Sequence, residues 1–499
     1  MTRIEKFGSS LIDKEAIILS FLFISSILIR FYKIPNYLFF GYEQGRDAQI
    51  IQNIYKLGQF TLVGPKTSLE GTFHGPWYYY LMTLPYFLAR GNPIIALFFL
   101  ILVCSFTSIV IYFLIKNIYK SKPLAFFAGV LCAFSFELVV YSRWLSNVTL
   151  AVPFIALVFF CIWKYKVSKK GIYFVLSVFF ASFASQFEMI LFFQFGFVYI
   201  LLFLLKIIKI PNFKSIFFGF LCLIFVLSPL IIFDFRHQHI SFNAIVSMFN
   251  GTSLTRSYNF NLFNSLYFYQ LKIFEVIKRT LFLPDLLILQ IIFLIIFIFG
   301  LYRYWRLRFD RTVLVFFLVW SFMSLPVIFL AANLDQSYVG TGLGFIGLIC
   351  LSSLGLWKSQ GIRFLFVILF VSIVFSWNLG LYYLNHNENI FFVTIQKDLN
   401  LGDQRKVLEF IHRDSAGQPY RFEAFTIPSL HPEGWQYLLQ YYYSKDIVNT
   451  EAKQVYIVIE KEVYPVWENK WISDLGNTRL VDERIFGLLR VQKRLINSI

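Results

Sequence analysis

The chain is 499 residues long, with 58% hydrophobic, 20% aromatic and only 15% charged residues, and it carries a formal net charge of +17. Soluble domains average about 45–50% apolar and about 25% charged residues, so a water-soluble globular chain is excluded. The apolar excess gathers in long runs and the basic residues in the short loops between them, which is the positive-inside pattern of a polytopic membrane protein; the charge answers to anionic lipid, with no nucleic-acid partner.

In chain order, Arg3, Lys6 and Lys14 precede the first apolar run, Ala16 to Ile29. That run has no small-residue cleavage site and reads as a retained first helix leaving an inner N-terminus and ending near Tyr32. The polar stretch from Phe40 to Leu81 then lies outside the membrane, within an outer loop over residues 33–92. Glu43 and Asp47 are four residues apart with Arg46 between them. A helix starting near Gly45 brings both acids to one face at its positive end. His74-Gly75-Pro76-Trp77 runs into Tyr78, Tyr79 and Tyr80, an aromatic collar for the interface, and Pro76–Leu88 reads as an interfacial helix.

Taking runs of roughly 17–25 apolar residues as spans gives about eleven, with the C-terminus outside. Span two covers about Pro93 to Tyr119, span three Pro123 to Tyr141, and span four ends at Trp163. Spans five and six cover Ile172–Phe187 and Ile190–Leu205, and span seven runs from Ser215 to Phe233. A polar loop of roughly fifty residues follows, too long for a connector and expected to be partly helical. Span eight covers Leu286 to Leu301, span nine exits near Asn333, span ten returns to Lys358 and Arg363, and span eleven leads out. The lysine-rich loops fall on one side only if Pro76–Leu88 does not cross. Residues 1–384 thus form the membrane domain, and residues 385–499 a small α/β domain outside it, with helices at Leu401–His412 and Pro432–Tyr443 and strands at Tyr420–Ile427, Gln454–Glu460 and Ile485–Gln492.

Charged groups at the outer ends of spans carry the chemistry, because lipid makes them costly without a purpose. Glu43 and Asp47 can cap a helix or serve as a general base, with Arg46 orienting the pair. Arg143 can snorkel or hold a phosphate, and Asn147 can cap span four. In Asp234-Phe235-Arg236-His237-Gln238-His239, Arg236 and His237 suit a lipid phosphate; two histidines without a third ligand make a weak metal site, and none is assigned. His74 donates to a phosphate or sits in an aromatic interface. Cys104, Cys132, Cys161, Cys222 and Cys350 lie inside apolar runs and read as buried thiols. There is no P-loop, no dinucleotide-binding turn and no Ser-His-Asp order, so no cofactor is expected.

These features together resemble the GT-C class of membrane glycosyltransferases, and within it the family 39 group that contains the protein O-mannosyltransferases and the lipid A aminoarabinose transferases. The matching runs are Tyr42-Glu43-Gln44-Gly45-Arg46-Asp47-Ala48, His74-Gly75-Pro76-Trp77-Tyr78-Tyr79 and Arg143-Trp144-Leu145-Ser146-Asn147. Glu43 stands where the family carries Asp, Gln44 where it carries Glu, and Asn147 where it carries an acid. The resemblance implies the GT-C fold and a polyprenyl-phosphate sugar donor. It also implies transfer with inversion to a lipid, glycan or protein acceptor at the outer face of the plasma membrane. Glu43 is then the base with Asp47 in reserve, and Arg143, Arg236 and His74 are the cations around the leaving phosphate. A transporter or flippase of lipid-linked saccharides is the main competing class, and a non-catalytic envelope assembly protein a third. Charges at the outer rim rather than at the midplane favour the enzyme.

Overall fold

The computed structural model describes residues 3–67, 69–249, 262–281, 287–307, 309–330, 335–356, 399–426, 431–446, 448–460 and 465–496. Helix α1 (Arg3–Phe31) leads through the single turn α2 (Ile34–Tyr37) to α3 (Tyr42–Leu57) and α4 (Trp77–Leu88). There follow α5 (Pro93–Tyr119), α6 (Lys122–Phe134), α7 (Phe136–Ser142), α8 (Asn147–Ser168), α9 (Gly171–Phe187), α10 (Ile190–Leu204) and α11 (Phe213–Arg236). The long loop after span seven holds α12 (Ile240–Phe249) and α13 (Leu262–Leu281), and then come α14 (Leu287–Arg306), α15 (Arg311–Ser321), the turn α16 (Val327–Leu330) and α17 (Thr341–Leu356). Helices therefore stand where the first ten spans are expected, with α6 and α7 together at the third. The eleventh span, the exit near Asn333 and the 384/385 boundary lie outside the described residues. By length and composition, α1, α5, α8 and α11 can cross a membrane, and the bent pair α6–α7 makes a fifth.

Polar contacts sort the helix ends into two layers. At one end Glu15 meets Lys116 and Lys122, Lys164 Nζ donates to Asn117 Oδ1 at 2.9 Å, Tyr165 OH donates to Lys209 O at 3.1 Å, and Lys166 lies 3.9 Å from Asp310. These belong to the lysine-rich loops that the sequence places on the inner side. The opposite layer carries α3, α4, the start of α8 and the end of α9.

Span three is not straight, because α6 and α7 meet at 52° about Ser135. The break strips the carbonyls ending α6 of helical donors, and in lipid such groups must be satisfied within the protein. Arg30 of α1, 1% exposed, supplies them: Nη1 donates to Ala133 O at 2.6 Å and Nη2 reaches Cys132 O at 3.5 Å. Arg143 in turn donates from Nη1 to Arg30 O (2.9 Å) and Tyr32 O (2.7 Å), closing the end of α1. Proline treats α11 in a similar way. Pro229 cannot donate to Phe225 O, and Ser228 Oγ takes its place at 2.8 Å.

The C-terminal domain is α18 (Leu401–Ser415), β1 (Arg421–Phe425), α19 (Glu433–Tyr442), β2 (Gln454–Ile459), α20 (Pro465–Asp474), β3 (Thr478–Phe486) and β4 (Leu489–Ile496). Its sheet has the order β1-β2-β4-β3, with β1 and β2 parallel and the other pairs antiparallel. A parallel pair needs a crossover, and α19 provides it. The sequence expectation of one last strand over Ile485–Gln492 is corrected to two. Gly487, at φ 62°, takes the left-handed turn conformation that reverses the chain between β3 and β4. Helix α20 and most of β3 lie outside the expected elements, their apolar residues being few and interrupted by charge. Trp471 and Ile472 of α20 cover Phe425, Val455, Ile457 and Ile459, while Ala424, Tyr456, Val458 and Val491 face the core continuous with the membrane helices.

The domain is docked onto α3 at close range. A Cβ on Gly45 would sit 2.4 Å from the backbone of Glu433 and Gly434, and one on Gly434 would sit 2.7 Å from Gly41 O. Around this contact Leu401 N donates to Leu38 O (2.8 Å), Gln404 Nε2 to Phe40 O (2.9 Å) and Tyr437 OH to Gly91 O (2.6 Å).

Candidate active site

Gly41 is the N-cap of α3, and Gln44 Oε1 accepts its N–H at 3.0 Å. The other end of that carboxamide, Nε2, donates to Leu145 O at 3.2 Å, so Gln44 ties the start of α3 to the loop before α8. A carboxylate has no N–H for Leu145, which gives the glutamine a structural role here.

Glu43 lies in the first turn, where the helix dipole favours a negative charge. It is half-buried, and its one described partner is the Tyr42 hydroxyl, which donates to Oε1 at 3.2 Å. Burial, followed by the charge of Glu43, pushes the Tyr42 phenol up to about 12, so it remains a donor.

One turn on, Asp47 is buried and accepts three hydrogen bonds on one oxygen. Arg46 Nε (2.9 Å), Arg46 Nη2 (2.8 Å) and Tyr79 OH (3.0 Å) all reach Oδ1, and no donor among the described residues reaches Oδ2. Burial pushes the Asp47 carboxyl up to about 6 against the pull of Arg46. Arg46 would be lowered by burial, but the Asp47 charge holds it above the ordinary arginine value. Its side chain is still 30% exposed and lies 6.0 Å from the Tyr42 ring centroid, so Nη1 remains available to an anion.

The loop between α3 and α4 closes on this pair. A Lys66–Phe73 bridge and the 2.8 Å bond from Gly64 N to His74 O make it a short antiparallel ladder. His74 is 8% exposed and its Nδ1 has no partner. Burial, with the Arg46 charge added, lowers it to about 4, so it is neutral near pH 7. His74 thus offers hydrogen bonds but no charge, unlike the cation expected from the sequence. Tyr78 is buried beside Tyr79, with ring centroids 5.8 Å apart, and burial and then the Asp47 charge raise its phenol well above the usual value.

The remaining expected residues have other positions. Arg143 spends Nη1 on the end of α1. Asn147 is the first residue of α8, behind the N-cap Ser146, and donates from Nδ2 to Phe187 O at 2.6 Å, stapling α8 to α9. Arg236 is exposed at the end of α11, and His237 Nδ1 lies 2.8 Å from Phe233 O with its ring stacked at 4.0 Å on Phe233. Asp234 caps α12 through Ser241 N at 2.7 Å, and Ser241, just past the run, donates from Oγ to Gly71 O at the tip of the ladder at 3.0 Å. Sequence reasoning assigned no role to Gln186. It is wholly buried, its backbone accepts from Gly75 N at 2.9 Å, and neither side-chain polar atom has a partner. A glutamine at the polar end of an apolar run was the available signal. Glu188 nearby is pushed up to about 7 by burial.

The site therefore gathers Glu43, Arg46, Asp47, His74, Tyr78 and Tyr79. It offers the Arg46 guanidinium for an anion and the half-exposed Glu43 carboxylate for a proton. Asp47 serves the guanidinium only while ionised. With its carboxyl at about 6, lowering the pH from 7 to 5 protonates Asp47 and takes a negative charge from beside the guanidinium, so the affinity of Arg46 for an anion rises by up to about tenfold. A KM-against-pH profile checks this, and Asp47→Asn removes the acid limb.

No protein-family model and no curated protein sequence matches the chain. Among solved structures the chain is similar to ArnT from Cupriavidus metallidurans bound to undecaprenyl phosphate, at 11% identity and TM-score 0.56, covering 95% of this chain and 97% of that one. It is likewise similar to ArnT from the same organism in the apo state, at 10% identity and TM-score 0.58 with the same coverage. At such identity the likeness is one of fold, a polytopic helical membrane protein with a small C-terminal sheet domain, and it spans nearly the whole of both chains.

Proposed function

We propose that the chain is an inverting glycosyltransferase that moves a sugar from a polyprenyl-phosphate donor to an acceptor at the outer face of the membrane. The observation that carries this reading is the division of labour between the two acids. Asp47 is buried and committed to Arg46, while Glu43, one turn away, is half-buried and among the described residues meets only the Tyr42 hydroxyl. Undecaprenyl phosphate bound to a protein of the same fold supports a lipid-phosphate ligand for Arg46. The acceptor hydroxyl loses its proton to Glu43, its oxygen forms a bond to the anomeric carbon, and the bond from that carbon to the bridging phosphate oxygen breaks. Arg46 meets the charge that builds on the leaving phosphate. Attack opposite the leaving group inverts the anomeric centre. Phosphate leaves as an anion without a protonating acid, so a single base is enough, and Asn147 in place of an acid is no obstacle.

The test is incubation of purified protein with radiolabelled polyprenyl-phosphate hexoses and pentoses plus membrane extract, read by thin-layer and mass analysis. Release of polyprenyl phosphate with label passing to an acceptor, by wild type and not by Glu43→Gln, is expected. If no donor in the panel is consumed, transport or assembly replaces transfer as the reading.

A further inference from the structure

Strand β1 is the edge of the C-terminal sheet, and among the described residues no partner reaches its outward hydrogen-bonding groups over two residues. Phe425 O accepts from Glu460 N at 3.0 Å, on the β2 side, whereas Tyr420 O accepts from Asn449 N at 2.9 Å, on the outer side. Alternation along a strand then turns the N–H and C=O of Phe422 and Ala424 outward. Beside Tyr420 that edge position is filled by Val448, in a parallel bridge; beside Phe422 and Ala424 no described residue fills it.

The opening is a cleft of about 580 Å³, within the range of ligand sites. Helix α19 forms one wall and presents Gln436 and Gln440, exposed one turn apart with no described partner for either carboxamide. Trp471 of α20, packed on Phe425 at 5.4 Å, forms the other. A strand laid about 4.8 Å from β1 would be covered on both faces, between the helix and the indole. Among the described residues the lining holds Glu423 and Asp446 but no lysine or arginine. Both acids are already bonded, Glu423 to Arg421 and Asp446 to His412 and Tyr420, so they set the sign of the cleft without closing it.

We infer that this cleft binds an extended polypeptide segment of another protein, neutral or basic in charge, as an added strand on β1. Backbone donors and acceptors in alternation match a peptide backbone, the α19 carboxamides reach its side chains, and the absence of cationic lining admits lysines. An open edge of this kind otherwise invites non-specific pairing, which proteins avoid by covering or charging it. This inference does not depend on sugar transfer.

The experiment uses the full chain in detergent and a fluorescent heptapeptide, acetyl-Lys-Val-Thr-Val-Thr-Val-Lys-amide, followed by anisotropy. Saturable binding is expected. It should weaken by about tenfold when alternate peptide nitrogens are methylated, and by a similar factor in Ala424→Pro, because each removes edge hydrogen bonds. Proline is tolerated where an edge N–H faces outward, and Ala424→Gly, which keeps the N–H, retains binding; thermal melting verifies that both variants fold. Absence of saturable binding, or binding indifferent to methylation and to Ala424→Pro, overturns the inference. So does binding of chitotetraose at this cleft in place of the peptide, which makes it a glycan site.

Discussion

Glu43→Gln is expected to lower kcat by about 10²–10⁴-fold, the usual contribution of a positioned general base, with the donor KM close to wild type. The carboxamide is nearly isosteric, and its oxygen still accepts from Tyr42 OH, so the first turn of α3 keeps its packing. What is lost is the ability to take a proton. Asp47→Asn separates the two acids by a different signature. It loosens Arg46, so its main effect falls on donor KM. Steady-state kinetics on both variants, with melting temperatures to verify folding, decide the assignment. If Asp47→Asn loses kcat and Glu43→Gln does not, the roles are exchanged and Asp47, with its open Oδ2, is the base.

The second large effect is at Gly45, far more sensitive than a surface position on a polar helix would suggest. An added methyl meets backbone atoms of Glu433 and Gly434 at 2.4 Å, and backbone cannot rotate away as a side chain can. Gly45→Ala must therefore lift α19 from α3, at a cost of about 1–3 kcal/mol or more from overpacking. Because the same turn of α3 carries Glu43 and Arg46, turnover falls together with the melting temperature. Gly58→Ala is the contrast. It lies at the other end of α3 with open space around it, although its φ of 65° brings a backbone penalty of its own. A Gly45→Ala protein that melts and turns over like wild type sinks the docking argument.

Much of the architecture was open to reading because the bilayer imposes simple rules. Long apolar runs mark helices, lysines mark one face, and Gly45-Arg46-Asp47 beside an aromatic collar marks a polar segment that must lie outside lipid. The acids and arginine of α3 were found in this way, as was a helix at Trp77–Leu88. The first helices and strands of the C-terminal domain followed from period alone; α20 and most of β3 did not, nor did the β3–β4 reversal, where one glycine conformation decides between a long strand and a hairpin.

Tertiary structure alone decided which charged residues gather around Arg46 and which hold the frame. Arg143 and Asn147 read as polar groups near span ends and Arg30 drew no reading, and a sequence gives no means of knowing that each faces a backbone carbonyl from a different helix. The neutrality of His74 and the carboxyl of Asp47 near 6 are products of burial, set by residues far along the chain such as Gln186 and α19. Composition and period are local and survive in one dimension. Burial, carbonyl satisfaction and electrostatic coupling depend on what arrives from elsewhere in the chain, so they exist only once the helices have packed.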